Sequence, residues 1–328
     1  MNTNTTGNAA SRMMIARVSI GTWSARKLDR VATNKTTTDA GAVSDAARVN
    51  KYLLAGQDEL LVAIKKHETR TRDELKLFTL PWNDNGDRIL TIDHWQKVNR
   101  IMQDAALNFA PLVDSFMDFY ATVYERARFS LGSLYDEKDF PPPHKVRAKF
   151  YFDFSIDPLP TAQDFRVSMT DDDADMIRKD IETRANDRFA LAMRDLYNRL
   201  IDPIRHIAET LPRYEAGEVK KFNDSIIGNV REILAILPGL NITNDATLNA
   251  IAARAQAELA GIHPQTLRDD PTARNRATAS AQAICATMAQ HLGLAPAAPV
   301  ATPAAPATPT PAAPAQVFDL FTAPVRAA

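Results

Sequence analysis

The feature that most constrains this chain is the spacing of apolar residues between Asp171 and Leu211. Ile181, Ala185, Phe189, Ala192, Leu196, Leu200, Ile204, Ile207 and Leu211 recur at intervals of 4, 4, 3, 4, 4, 4, 3 and 4, with charged residues on the other faces. That is one helical stripe sustained for roughly 60 Å at 1.5 Å per residue. So long a stripe needs a long partner. Val98, Met102, Ala105, Phe109, Leu112, Phe116, Tyr120, Val123 and Ala127 supply a second one, predicting a helix from about Asp93 to Leu134. We expect the two to pack antiparallel within the chain, so that no homodimeric coiled coil is required. Pro111 and Pro203 lie inside these helices and should kink them, because proline lacks the N–H and crowds the carbonyl four residues back.

Between the two helices, Pro141-Pro-Pro143 marks a stop. Val146, Ala148, Phe150, Phe152, Phe154 and Ile156 then alternate with polar or aromatic residues, a strand pattern. Phe165–Met169 reads as a short second strand and Ile15–Ile20 as a third. Asn85-Gly86 signals a tight turn. Residues 33–44, rich in Thr, Asn and Gly, read as a loop, with a helix starting near Ser44 or Asp45 and running past Ile64. Its basic continuation, Lys65–Arg72, reads as a solvated face or, alternatively, a phosphate-contacting patch. Later helices are expected over Lys220–Leu237, Asn244–Gly261 and Asp270–His291, the last opened by an Asp-Pro cap. The fold class expected is mainly α: a long kinked antiparallel helical hairpin or bundle with a small antiparallel β-sheet at one end.

The domain layout follows composition. Residues 1–12 are polar and aperiodic and expected to be disordered; 13–240 hold the long-helix hairpin and sheet, and 241–293 a short helical part. Residues 294–315 are an Ala/Pro/Thr linker and 316–328 a tail that regains apolar character. With 39 basic against 40 acidic residues there is no global field to draw nucleic acid or an anionic membrane. No apolar run reaches membrane-spanning length, and the first residues lack a signal-peptide core, so a cytoplasmic setting is expected. The single cysteine, Cys285, excludes an internal disulfide and a cysteine-rich zinc site.

Few residues invite chemistry. Asp171-Asp-Asp-Ala-Asp175 is better placed to complement the N-terminal dipole of its helix than to hold a metal unaided. The six histidines show no paired metal-binding spacing, and the 11 glycines form no phosphate loop. We therefore expect no catalytic residues, no metal and no cofactor. Trp23, Arg26, Lys27 and Arg88 could form an aromatic and basic surface for single-stranded nucleic acid, although tryptophans of this kind more often pack in a core.

The tail carries the sharpest local signal. Gln316-Val-Phe-Asp-Leu-Phe321 resembles the short peptides by which bacterial replication and repair proteins dock on the DNA polymerase sliding clamp. That resemblance implies hydrogen bonding by Gln316 and insertion of Leu320 and Phe321 into an apolar cleft. The match is to a six-residue variant, one residue longer than the common form, and Phe318 is bulkier than usual at its position. The bland alternative is a tail folded back on the chain's own helices.

Four further stretches, Ser19–Lys27, Thr79–Leu90, Pro158–Val167 and Ala192–Leu200, together resemble a family of unknown function encoded by tailed phages and prophages. The resemblance spans roughly residues 15–290 and excludes the linker and tail. It implies phage or prophage origin, with a hexameric ATPase often encoded nearby, and brings no catalytic residues. The functional expectation is a non-enzymatic helical adaptor or scaffold in phage DNA metabolism inside the host cell, contacting the sliding clamp or a phage-encoded ATPase. A virion or assembly protein is the alternative, and a single-stranded nucleic-acid-binding protein the third.

Overall fold

The computed structural model describes residues 12–162, 170–214 and 223–292. Its first strand, β1 (Met13–Gly21), is the centre of the architecture. Two later strands pair with it antiparallel: β5 (Arg88–Thr91) on one side, with Met13 opposite Thr91, and β6 (Tyr151–Pro158) on the other, with Met14 opposite Pro158 and Gly21 opposite Tyr151. A two-residue strand, β4 (Leu80–Pro81), extends the sheet beyond β5, giving the order β4-β5-β1-β6. The β4–β5 turn is the one signalled by Asn85-Gly86. Gly86 there adopts φ 92°, a left-handed conformation that only glycine takes without strain.

Two short strands, β2 (Arg26–Leu28) and β3 (Asn50–Tyr52), form a separate ribbon enclosing α1 (Arg30–Asp39). Residues 33–44 are therefore not a simple loop. Asp29 caps α1 by accepting from Ala32 N at 2.9 Å, and the threonine hydroxyls donate to carbonyls inside it: Thr33 to Asp29, Thr36 to Ala32, Thr37 to Thr33. These bonds offset a poor helix composition. The next helix begins later than its apolar spacing suggested. It is α2 (Glu59–Leu77), because Asn50–Tyr52 is taken up by pairing with β2.

The two faces of the sheet are covered by different helices. Ala16 and Leu90 on one face pack with Leu75 of α2 and with Val98 and Met102 of α3 (Ile92–Tyr120). Phe152, Phe154 and Ile156 of β6 flank this layer. Met13, Ile15, Leu80, Trp82 and Ile89 on the other face pack against the long helix α6 (Asp171–Thr210). The mainly-α class with a small antiparallel sheet is what the structure has, but the sheet lies between two helical layers.

The helix pairing differs from expectation. The partner of α3 is α2, and the partners of α6 are α7 (Ser225–Leu240) and α10 (Pro271–His291). A stripe reports that a face is buried and says nothing of what buries it. The second long helix is also interrupted. α3 ends at Tyr120, Ala121-Thr122 forms a turn, and α4 (Val123–Leu131) follows. Pro111 and Pro203 do not end their helices, and Pro111 lies on the exposed side of α3.

The strand expected from Val146 starts only at Tyr151. Pro143–Arg147 is a short helix, α5, with Pro143 in its first turn. The pattern misled because Val146 and Phe150, both buried, are four residues apart, a spacing compatible with either period. Phe165–Met169 lies outside the described residues, as do the linker and tail. The remaining helices are α8 (Ala246–Ala255), continued by a π-helical turn at Gln256–Ala260, and α9 (Pro264–Asp269). Asp245 and Asp270 cap α8 and α10, and Pro271 occupies the first turn of α10.

Candidate interaction surface

The halves of α6 are differently buried. From Ala192 onward, Leu196, Leu200, Ile201, Ile204 and Ile207 are fully enclosed by the sheet, α7 and α10. Before Ala192 only Ala174 is buried. The junction is anchored by Trp82 at the β4–β5 turn: its ring lies 5.7 Å from Phe189, and the Arg188 guanidinium sits 4.8 Å from its centroid. Residues on the outward side of the first half are Met176, Asp180, Thr183, Asp187 and Leu191, spaced 4, 3, 4 and 4. Met176 and Leu191, 66% and 62% exposed, are apolar ends to a polar, acidic middle.

The acidic start of this helix behaves as a helix terminus. Thr170 is the N-cap and accepts from Asp173 N, Asp171–Asp173 fill the first turn, and Asp175 pairs with Arg178 at 2.9 Å. Negative charge there complements the helix dipole. Among the described residues no group of three or more His, Cys, Asp or Glu side chains could hold a metal ion, and no helix is long and apolar enough to cross a membrane.

The four residues considered for nucleic acid do not form one platform. Trp23 is buried, 5.4 Å edge-on to Tyr120 and 6.3 Å from Phe116. Arg88 is enclosed where α2 meets the sheet, donating to Thr79 Oγ1 at 2.6 Å and Thr79 O at 2.9 Å. Burial and the neighbouring charge of Arg199 push its pKa down to about 10. Arg26 and Lys27 are exposed on β2. The aromatic that would stack and one of the cations that would bind phosphate are thus engaged inside the protein. Gln316, Phe318, Leu320 and Phe321 lie outside the described residues.

No family model, curated protein or solved structure matches this chain.

Three polar clusters were invisible to sequence reading, because their members are far apart in the chain. Lys51, on β3, is bound to Asp139 and lies 3.4 Å from Asp29, while its Nζ donates to Leu134 O at 2.9 Å. With the Lys51 side chain only 8% exposed, this charged trio pins the β2–β3 ribbon to the segment after α4. Burial works against the Lys51 ammonium, but the hydrogen bonds and charges of Asp139 and Asp29 prevail and raise its pKa. Arg17 grips Asp87 through Nε and Nη2 at 2.7 and 3.0 Å and reaches Asp157 at 3.2 Å, tying β1 to both neighbours. Asp245 accepts from Tyr197 Oη at 2.8 Å while capping α8. Each cluster has an architectural partner for every charge it buries.

Within the basic run on α2, Arg70 pairs with Glu74 and Arg72 with Glu68, so its two arginines have counter-charges on the same helix.

Proposed function

We propose that this protein is a helical scaffold that works through protein–protein contacts, with the first half of α6 as its binding arm. The observation that carries the reading is the asymmetry of α6. One continuous helix is held firmly by its second half, while Met176 and Leu191 stand exposed around Asp180, Thr183 and Asp187 on the first. Apolar anchors around polar positions on one helix face are what a partner groove recognises. The tail hexapeptide Gln316–Phe321 would add a second, tethered contact of the sliding-clamp type, in keeping with a role in phage DNA metabolism.

A photo-crosslinking amino acid placed at Thr183 in the full chain tests the arm in cells. One discrete adduct, lost when Met176 and Leu191 are both changed to Glu, is the expected result. Absence of any discrete adduct, or one unaffected by those changes, overturns the reading. The tail is tested separately by titrating the intact chain and a Leu320→Ala/Phe321→Ala variant with purified clamp. Equal binding, or none by the intact chain, removes it.

A further inference from the structure

The last turn of α7 rests on the first turn of α3. Thr91, which ends β5, donates through Oγ1 to Gly239 O at 2.9 Å. His94, the third residue of α3, turns its ring onto the same glycine: a Cβ at Gly239 would stand 2.5 Å from His94 Cε1, 2.9 Å from Nε2 and 3.1 Å from Nδ1. A side chain at that position would displace the imidazole. Phe78, just past the end of α2, places its ring 5.6 Å away. His94 Nδ1 lies 3.5 Å from Thr91 Oγ1, whose own hydrogen goes to Gly239. The one N–H of a neutral imidazole therefore belongs on Nδ1, and Nε2 has no hydrogen-bond partner among the described residues.

We propose that His94 is an acid-sensitive latch: while neutral it holds the last turn of α7 against the first turn of α3, and its protonation releases that turn. A proton on Nε2 creates a second N–H beside Gly239 with nothing to receive it, which is costly for a half-buried group. Opening the contact hands the imidazolium to water. Burial accordingly holds the His94 pKa below its ordinary value, against the opposing charge of Asp93. The rest of α7 stays anchored through Ile226, Val230, Ile233 and Leu237 in the core shared with α6. Release is therefore confined to the last turn and the connection that follows it.

The charges around the ring leave this balance in place. On α3 itself, Asp93 is paired with Arg12 at 3.0 Å, and Lys97 lies over the Phe78 ring at 5.7 Å. Ahead of Phe78, Lys76 is paired with Asp73, and Arg88 on β5 is engaged with Thr79. The nearest charged residue before Gly239 on α7 is Glu232, two turns or roughly 10 Å back along the helix. None of them is hydrogen-bonded to the imidazole. The first turn of α3 disfavours a cation, whereas the last turn of α7 favours one, but the Gly239 carbonyl there is already taken by Thr91. The contact is therefore intact above the ordinary histidine pKa of about 6.5, and its contribution is lost as pH falls through the lower pKa of the closed form. The inference concerns α3 and α7 and stands or falls apart from the arm of α6.

The test is native-state hydrogen exchange of the full chain at pH 7 and pH 5, corrected for the intrinsic exchange rate and read on the amides of Gly239, Leu240 and Asn241. An NMR titration of the His94 Cε1 proton accompanies it. If only the open form takes the proton, the opening constant rises by up to about 25-fold between the two pH values. Protection of these amides should fall by about ten- to 25-fold, and His94 should titrate below about pH 6.5. In His94→Phe and His94→Gln, which cannot take up the proton, protection should change by less than about threefold. His94 titrating at or above its ordinary value overturns the proposal. So does equal protection at the two pH values, or an equal loss in the variants. The two measurements on the unmodified chain decide the matter even where neither variant folds.

Discussion

The hub at Asp245 allows a prediction whose parts can be separated. Its Oδ1 accepts from Thr247 N at 2.8 Å and Leu248 N at 3.1 Å, capping α8, and its Oδ2 accepts from the hydroxyl of Tyr197 at 2.8 Å. Asp245→Ala removes the cap, worth about 1 kcal/mol. It also leaves the buried Tyr197 hydroxyl without its acceptor, which costs about 1–3 kcal/mol more. The expected total is about 2–4 kcal/mol. Tyr197→Phe should cost only about 1 kcal/mol, since the Asp245 side chain is 23% exposed and water can replace the lost donor. The double variant loses the cap and one net hydrogen bond but strands no buried group. It should cost about 2 kcal/mol, no more than Asp245→Ala alone. Urea unfolding followed by circular dichroism measures all four corners of the cycle, with unchanged slopes confirming that the same transition is compared. Additivity of the two single changes to within about 0.5 kcal/mol would show that the hydroxyl is not held by Asp245 and refute the reasoning.

Other outcomes follow from close approaches and shifted groups. A Cβ at Gly21 would stand 2.2 Å from Tyr151 Cε1 and 2.6 Å from the Lys149 carbonyl oxygen. Gly21→Ala should therefore destabilise by about 1–3 kcal/mol in thermal or urea unfolding, and Tyr151→Ala should not rescue it, because the backbone clash remains. Burial, then the hydrogen bond to Asp58 and its charge, pushes the Tyr52 hydroxyl up to about 12; Tyr197 is raised likewise, first by burial and then by its bond to Asp245. Both phenols are held neutral in the fold while the unfolded chain ionises near 10, so stability should fall as pH rises from about 10 toward 12. Tyr52→Phe should flatten part of that fall in urea titrations across this window; an unchanged slope counts against it. The Cys285 thiol is pushed up to about 11, chiefly by burial. At pH 8 it should react with an aromatic disulfide reagent about 100-fold more slowly in the native protein than in urea.

How much of this was legible depended on the range of the signal. Asp270-Pro271 and Asn85-Gly86 announced themselves because caps and turns are decided by a few adjacent residues. The strand alternation of Phe152, Phe154 and Ile156 held for the same reason. The pairing of the helices was not legible, since Leu196 and Phe116 each declare a buried face without naming its neighbour. The helix at Arg30–Asp39 was hidden by its threonines, whose hydroxyls bond back into the helix instead of breaking it. Ala46, Val49 and Leu53 imitated a helical stripe while lying in the connections on either side of β3. Trp23 packs where core tryptophans do, but only the structure shows that Arg88 is enclosed with Thr79.

The central position of β1 has a consequence in time. Its partners lie far along the chain: Met13 waits for Thr91 and Gly21 for Tyr151. On a ribosome this strand emerges before both of its partners and cannot complete its ladder until β6 has followed. Met13 and Ile15 have no cover until α6 is made. A strand with uncovered apolar residues on both faces and two open edges must therefore persist through much of synthesis, when edge pairing with other nascent chains is the competing reaction. Closing such long loops also slows folding. The same placement that lets nine residues knit two helical layers together makes the order of synthesis, and any chaperone that guards the first strand, part of how this molecule reaches its fold.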